Sequence, residues 1–276
     1  MDIKAISEFI LEFQEKDESN RVTKEIAKKP EYINRKIYSG VLCGVAGADD
    51  EIIASLKENK DANMYMMQPS EWLGGARSVI SFFTPFERWI TEENEKGDWP
   101  SDGWLHGRIE GQASLGKWAL ALAGLIRKEG FGVVIPSLDP RFKAFMKLNN
   151  SEDPEHLYTS NWSERHVAFA AGLGTFGLSR GLITELGTAG RFMSIVTTLE
   201  LEPSPRPYSD LLEYCIKCGA CIKNCPPKAI SFERLKDHEP CDDYLVKTRQ
   251  KEEPYYGCGK CQCGVPCAFG IPEKNL

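Results

Sequence analysis

The first 214 residues hold one cysteine, Cys43, so any chemistry built on several thiolates is confined to the tail. No apolar run approaches the roughly 18 residues that would mark a membrane-spanning helix. The opening stretch, MDIKAISEFILEFQEKDES, has acidic residues early and no uninterrupted apolar centre, so it does not read as a signal peptide. Basic excess is lacking too. The net charge of -6 argues against a non-specific nucleic-acid binder, which needs a positive surface to neutralise phosphates. No repeat of solenoid length occurs. These absences lead to an expected cytoplasmic protein that is not a membrane protein. In that reducing setting ten cysteines read as metal ligands before disulfides.

Present in place of these are alternating strand and helix signals over the first two hundred residues. Ile3, Ile6, Phe9, Ile10 and Phe13 fall on one helical face. Gly40–Gly47 and Ala76–Phe86 read as buried strands, the second stopped by Pro85. Leu115, Trp118, Leu122 and Leu125 mark a helix that Gly130 closes, a strand follows from Gly132, and Arg191–Leu201 is a further strand. The alternation implies an α/β or α+β layered domain. Ile90–Trp104, polar and turn-rich, is expected to be a surface loop. Three prolines between Glu200 and Asp210 suit an extended linker, and the predicted domains are 1–205 and 206–276.

The tail carries the strongest signal. Cys215, Cys218, Cys221 and Cys225, with Pro226 after them, are spaced by two, two and three residues. That is the bacterial ferredoxin run: three thiolates wrap one face of an iron–sulfur cube and the fourth serves a neighbouring cluster. Structural zinc favours two cysteine pairs a dozen or more residues apart, which fits this spacing poorly. If Cys225 belongs to a second cluster, Cys241, Cys258 and Cys261 are its natural companions. The first cluster then needs a fourth ligand from the end of the chain. Cys263 and Cys267 compete for that place, and the turn-rich VPCAFGIP exit favours Cys267. The expectation is a ferredoxin-like domain with two [4Fe–4S] clusters, an electron relay. Cys43, in an apolar strand, reads as a core residue.

Gly172, Gly174 and Gly177 form G-x-G-x-x-G, but the preceding ERHVAFAA is helical in composition, so a dinucleotide-binding strand–turn–helix is not expected. The same stretch resembles epoxyqueuosine reductase and the reductive dehalogenases. The resemblance rests on Glu164, Arg165, Ala171, Gly172, Leu173, Gly174, Gly177 and Leu199-Glu200-Leu201, with GARSVISFF (Gly75–Phe83), CDDYL (Cys241–Leu245) and GCGKCQ (Gly257–Gln262), and it covers most of 70–267. It implies a nitroreductase-like, cobalamin-binding domain fed by two [4Fe–4S] clusters, with a ferredoxin or flavodoxin as electron donor and a small electrophilic substrate. The glycines would let backbone approach a corrin closely. Arg165 beside Glu164 would form an ion pair or grip a propionamide or phosphate group.

Several positions depart from the family pattern. Tyr158 stands where epoxyqueuosine reductases have an aspartate acid, while dehalogenases use a tyrosine. Leu178 replaces a lysine, Ala268 replaces a proline, and no helical-repeat extension follows Leu276. These changes and the acidic balance weigh against tRNA as substrate. Rival readings are a non-catalytic electron carrier, a corrinoid-handling protein, and retained tRNA activity. His106 and His166 are candidates for the cofactor cavity, with partly buried packing as the alternative for His106. His156 and His238 are expected to be solvated. Trp72, Trp104, Trp118 and Trp162 line either a flat cofactor or the core.

Overall fold

The computed structural model describes residues 1–58, 65–151 and 153–274. Its centre is a four-stranded antiparallel sheet ordered β1-β2-β8-β3, with β1 Leu42–Gly47, β2 Ser78–Pro85, β3 Val133–Val134 and β8 Gly190–Thr197. Alternation sorts the side chains. Ile80 and Phe82 oppose Ile195 and Met193, and these four join one core. Val79 and Phe83 oppose Val196 and Phe192 and pack in the other.

The first core is closed by α1 (Ile3–Lys16) and α5 (Asp102–Lys128). Asp2 caps α1 by accepting from the Ala5 amide, and Ile6 and Ile10 of the predicted apolar face are fully buried. Ser101 caps α5 by accepting from the Trp104 amide. Leu115, Trp118, Leu122 and Ile126 of α5 are fully buried. At Gly107 and Gly111, α5 meets Phe86 and Tyr38 so closely that a Cβ would sit 2.8 and 2.7 Å from their atoms. On the opposite face lies α6 (Glu164–Ala170), with α2 (Glu51–Glu58) beyond it. The fold is thus α+β in three layers, helix, sheet and helix.

Short elements complete the chain: α3 (Pro69–Trp72), α4 (Arg88–Asn94), and the two-stranded pairs β4–β5 (Ala144–Phe145, Thr159–Ser160) and β6–β7 (Gly174–Phe176, Leu182–Thr184). The tail adds α7 (Ala220–Lys223), β9 (Ile230–Ser231), β10 (Leu235–Lys236) and α8 (His238–Glu252). The proline-rich connection is extended but docked. Ser204 exchanges hydrogen bonds with Val45 through its amide and hydroxyl, and Tyr208 donates to the Phe169 carbonyl at 2.6 Å.

The expected surface loop at 90–104 is corrected in part: residues 95–99 are turns and bends, exposed at 95–98, but residues 88–94 are helical, α5 begins at Asp102, and Ile90, Thr91, Asn94 and Trp104 are buried. Asn94 faces protein. Asn94 Nδ2 donates to the Cys258 carbonyl at 2.9 Å, and its Oδ1 accepts from the Ser101 amide at 2.9 Å. Lys260, 3% exposed, donates to the carbonyls of Asn94 and Lys96. Composition reads such residues as solvated because their partners lie some 160 positions away. The four tryptophans resolve as core: Trp72, Trp104, Trp118 and Trp162 are all buried.

Candidate functional site

The cysteines fall into two neighbouring groups. Cys215, Cys218 and Cys221 lie on the turn that leads into α7, where Gly219 takes a left-handed φ of 76°. Cys267 comes to them from the end of the chain, because the Thr188 amide, between β7 and β8, donates to its carbonyl at 2.9 Å. These four cysteines line one cleft of about 380 Å³, with Gly177, Leu178 and Ile183 on its wall. Burial, and then the facing thiols Cys221, Cys215 and Cys218, push the Cys267 thiol up to about 12.

Cys225, Cys241, Cys258 and Cys261 are the second group. Burial pushes the Cys258 thiol up to about 12, and Cys261, Cys241 and Cys225 add to the rise against a lowering hydrogen bond from Lys260. Leu178, Cys225, Ala229 and Ile230 form a small apolar core, with Cys215, Cys221, Cys241 and Cys261 packed against it. Cys221 and Cys261 interact electrostatically, so the two groups adjoin. Crowded thiols of this kind resist ionisation alone, and bound metal is what makes thiolates of them. Among the described residues no three His, Cys, Asp or Glu side chains converge as a single metal ion would require. Cys263 faces elsewhere: it is 1% exposed, belongs to the main core, and its sulfur accepts from Asn94 Nδ2 at 3.5 Å. Cys43 sits partly buried against that same core.

The second group lies close enough to Arg165 of α6 to influence its guanidinium. Arg165, on α6, is exposed to solvent, yet burial is the largest influence on its guanidinium and lowers its pKa. Cys261 and Cys241 raise it, and Arg108 lowers it. Glu164 beside it makes no ion pair with Arg165. Both its carboxylate oxygens are shielded from water and lack hydrogen-bond partners, and burial pushes the carboxyl up to about 7. Ser194 and Ser137 lie near enough to hold it down somewhat, but Ser194 Oγ accepts from Trp162 and the Ser137 hydroxyl points at Met193 sulfur. Orphaned buried carboxylate oxygens fit a bound molecule that carries hydrogen-bond donors, such as the amide side chains of a corrin.

The remaining expected site residues are placed as follows. His106 is fully buried: Nε2 accepts from the Lys28 amide at 3.1 Å, and Nδ1 lies 3.0 Å from Glu110. Both ring nitrogens are occupied within the protein, which corrects the expectation that it contacts a cofactor. A Cβ on Gly172 would lie 2.4 Å from the Pro205 carbonyl oxygen, and one on Gly174 2.0 Å from that of Ile183, so the close approach is to the chain itself. Gly177 is near the Cys215 sulfur, on the cysteine cleft.

Tyr158 has a left-handed φ of 70°, and its ring stacks on His238. Burial raises the pKa of its phenol, with Lys147 lowering it and Glu239 and Asp242 raising it. His238 is not freely solvated: Nε2 lies 2.9 Å from an Arg180 nitrogen, and burial lowers its pKa to about 4. His156 likewise packs against Tyr65 and Phe145 and pairs with Asp153. His166 is lowered to about 4 by burial, Arg165 and Arg180, and pairs with Ser163. Gln112 and Arg191, which are hydrogen-bonded to each other, carry no signal that the sequence shows.

Comparison with known proteins gives concordant results. A family model described as a 4Fe-4S binding domain matches residues 211–231. An epoxyqueuosine reductase of Francisella cf. novicida (strain Fx1) is 32% identical over 114 residues, covering 37% of this chain and 31% of the relative. A tetrachloroethene reductive dehalogenase of Dehalobacter restrictus is 34% identical over 110 residues, covering 37% of this chain and 20% of the relative. The chain thus spans a third or less of the length of these curated relatives. A solved reductive dehalogenase, described with a mechanism for B12-dependent dehalogenation, superposes with a TM-score of 0.54 at 17% identity, covering 84% of this chain and 30% of the other. Among the described residues no helix is long and apolar enough to cross a membrane. By its iron–sulfur motif, its sequence relatives and its fold, the chain resembles the epoxyqueuosine reductases and reductive dehalogenases and carries a 4Fe-4S binding motif.

Proposed function

We propose that the chain is a reductase that takes electrons from a ferredoxin or flavodoxin, carries them through two [4Fe–4S] clusters, and delivers them beside a cobalamin to a small electrophilic substrate. Cys215, Cys218, Cys221 and Cys267 would hold one cluster, and Cys225, Cys241, Cys258 and Cys261 the other. The observation that carries this reading is the sorting of the thiols. Four line one cleft, four adjoin it, and two of the second four, Cys241 and Cys261, influence Arg165 of α6. Exposed Cys218 marks the end open to a donor. The larger lobe, 1–205, would hold cofactor and substrate, and 206–276 the relay.

When bound, the cobalamin supplies a strongly reducing, nucleophilic centre, and the protein supplies orientation and electron delivery. Glu164 and Arg165 would meet its polar side chains. Two groups of this chain hold protons. Glu164 carries one on its carboxyl around neutral pH, where a general acid is most effective. Tyr158, its phenol kept protonated, is the acid that the family resemblance implies. Ten free cysteines suit a reducing compartment. The net charge of -6 gives tRNA less support than a small molecule.

Anaerobic reconstitution tests the reading. The expected result is about eight irons per chain, as two cubes require, and a change in the electron paramagnetic resonance of added cob(II)alamin. Four irons would remove the second cluster. A cob(II)alamin spectrum unchanged in every redox state would leave an electron carrier in place of a corrin enzyme. Corrin binding with no turnover of any electrophile would favour a corrinoid-handling protein.

A further inference from the structure

The cleft lined by Cys215, Cys218, Cys221 and Cys267 reaches the surface at Cys218, which is exposed. The charge around it runs against that of the chain. Between Tyr214 and Lys236 stand five basic residues, Lys217, Lys223, Lys228, Arg234 and Lys236, and one acid, Glu233, although acids outnumber bases 40 to 34 in the whole. Lys217, Lys223, Lys228 and Arg234 are exposed. Among the described residues Lys217, Lys223 and Lys228 have no carboxylate within ion-pair distance. Arg234 reaches only Asp237, at 3.8 Å between exposed side chains.

Contacts within the tail gather these groups. The Phe232 ring, 56% exposed, lies against Gly219, where a Cβ would meet it at 3.1 Å, so a bare aromatic side chain stands next to Cys218. Lys228 Nζ donates to the Lys223 carbonyl at 3.4 Å, which brings the approach to β9 against the end of α7. Lys228, Ser231 and Arg234 line one hollow of about 310 Å³, on residues that flank Phe232. Pro272 lines the cysteine cleft itself, and Ile271 before it is 41% exposed. Apolar side chains within a polar rim are the anatomy of a protein–protein interface. Unpaired charges of one sign steer in a partner of the other.

We propose that Phe232, Lys217, Lys223 and Lys228 form the docking surface for a small acidic electron-carrier protein, a role that rests on reading the neighbouring thiols as ligands of a cluster. In each encounter one electron leaves the reduced carrier, which is oxidised, and enters the cluster beside Cys218, which is reduced. Carboxylates on the carrier supply the counter-charge that the lysines lack within the chain, and its surface covers the Phe232 ring.

The test uses the full chain with clusters reconstituted. Two tail variants, Lys223→Glu with Lys228→Glu and Phe232→Ala, are compared with a control that reverses two exposed lysines of the N-terminal segment, Lys4→Glu with Lys24→Glu. Iron content and reduction by dithionite are checked first. The probes are an acidic flavodoxin and an acidic ferredoxin. Binding of each oxidised carrier is read by calorimetry, and electron transfer from the reduced carrier by stopped flow at low salt. At least one carrier should bind and reduce the native chain, with a rate that falls as salt is added. Each tail variant should lower affinity and rate by about tenfold or more, while the control and the dithionite reaction stay within about twofold. Tail variants that match the control overturn the proposal. So does a chain that dithionite reduces but neither carrier binds. An RNA stem–loop that binds the native chain and not the lysine variant, with carrier transfer alike in both, assigns the surface to nucleic acid and also overturns it. A chain with no dithionite-reducible cluster removes the reductase reading as well. Carrier reduction that depends on the tail residues in a chain that binds no corrin refutes the cobalamin reading and leaves the docking surface standing. Phe232→Ala keeps the test open should the lysine variant fail to load iron.

Discussion

Replacing Glu164 with Gln should change how stability depends on pH. In the folded chain its carboxyl is pushed by burial from the ordinary 4.5 to about 7. Unfolded, the same group ionises near its ordinary value. Between the two values the folded state binds the extra proton, so stability falls as pH rises from about 4.5 to about 7, and the loss is complete above that. At about 1.36 kcal/mol per pKa unit, the loss is about 3 kcal/mol. Gln carries no proton to lose. Its own buried amide brings a penalty, but one independent of pH, so the slope is the readout. For a chain of 276 residues the melting temperature of Glu164→Gln, relative to the native chain, should rise by about 5 °C between pH 5 and pH 8. The assay is thermal unfolding by circular dichroism at fixed scan rate, on corrin-free protein with its clusters loaded. Parallel profiles for variant and native chain would refute the burial argument. Because Arg191 pulls the carboxyl down, Arg191→Gln should steepen the native slope.

Cys267→Ser should lose about half of the bound iron and one set of cluster resonances, while Cys263→Ser keeps both, by iron assay and electron paramagnetic resonance. The reverse pattern would place the last ligand at Cys263. Asn94→Ala leaves the Ser101 amide and the Cys258 carbonyl without their partner. It should cost about 2–4 kcal/mol and speed protease cleavage of the tail. Gly174→Ala forces a Cβ to within 2.0 Å of the Ile183 carbonyl oxygen and should largely abolish soluble expression. Gly124→Ala, in mid-α5 with nothing within 4 Å of the new atom, should stabilise by about 1 kcal/mol in chemical denaturation.

Local signals explain what was legible. The Cys215–Cys225 run needs only spacing within eleven residues, because one turn wraps one cluster. The N-terminal helix, the α5 stripe and the strands 78–85 and 190–197 follow from side-chain period, which survives whatever the partner is. His106 was harder to read. Its environment comes from Lys28, 78 positions earlier in the chain, so no neighbouring residue announces that both ring nitrogens are spent. Asn94 misled for the same reason: its side chain and carbonyl hold the cysteine tail instead of meeting water.

By itself the sequence determined the element types, the split in cysteine density and the iron–sulfur chemistry, since each depends on residues close together along the chain. Tertiary structure alone decided that the strands run antiparallel in the order β1-β2-β8-β3. It also decided that Cys267 lines the cleft while Cys263 bonds to Asn94, and that Arg191 of β8 bonds to Gln112 of α5. These arrangements join residues scores of positions apart. They are set by which faces bury together and which buried polar groups find partners, and periodicity along the chain carries no record of either.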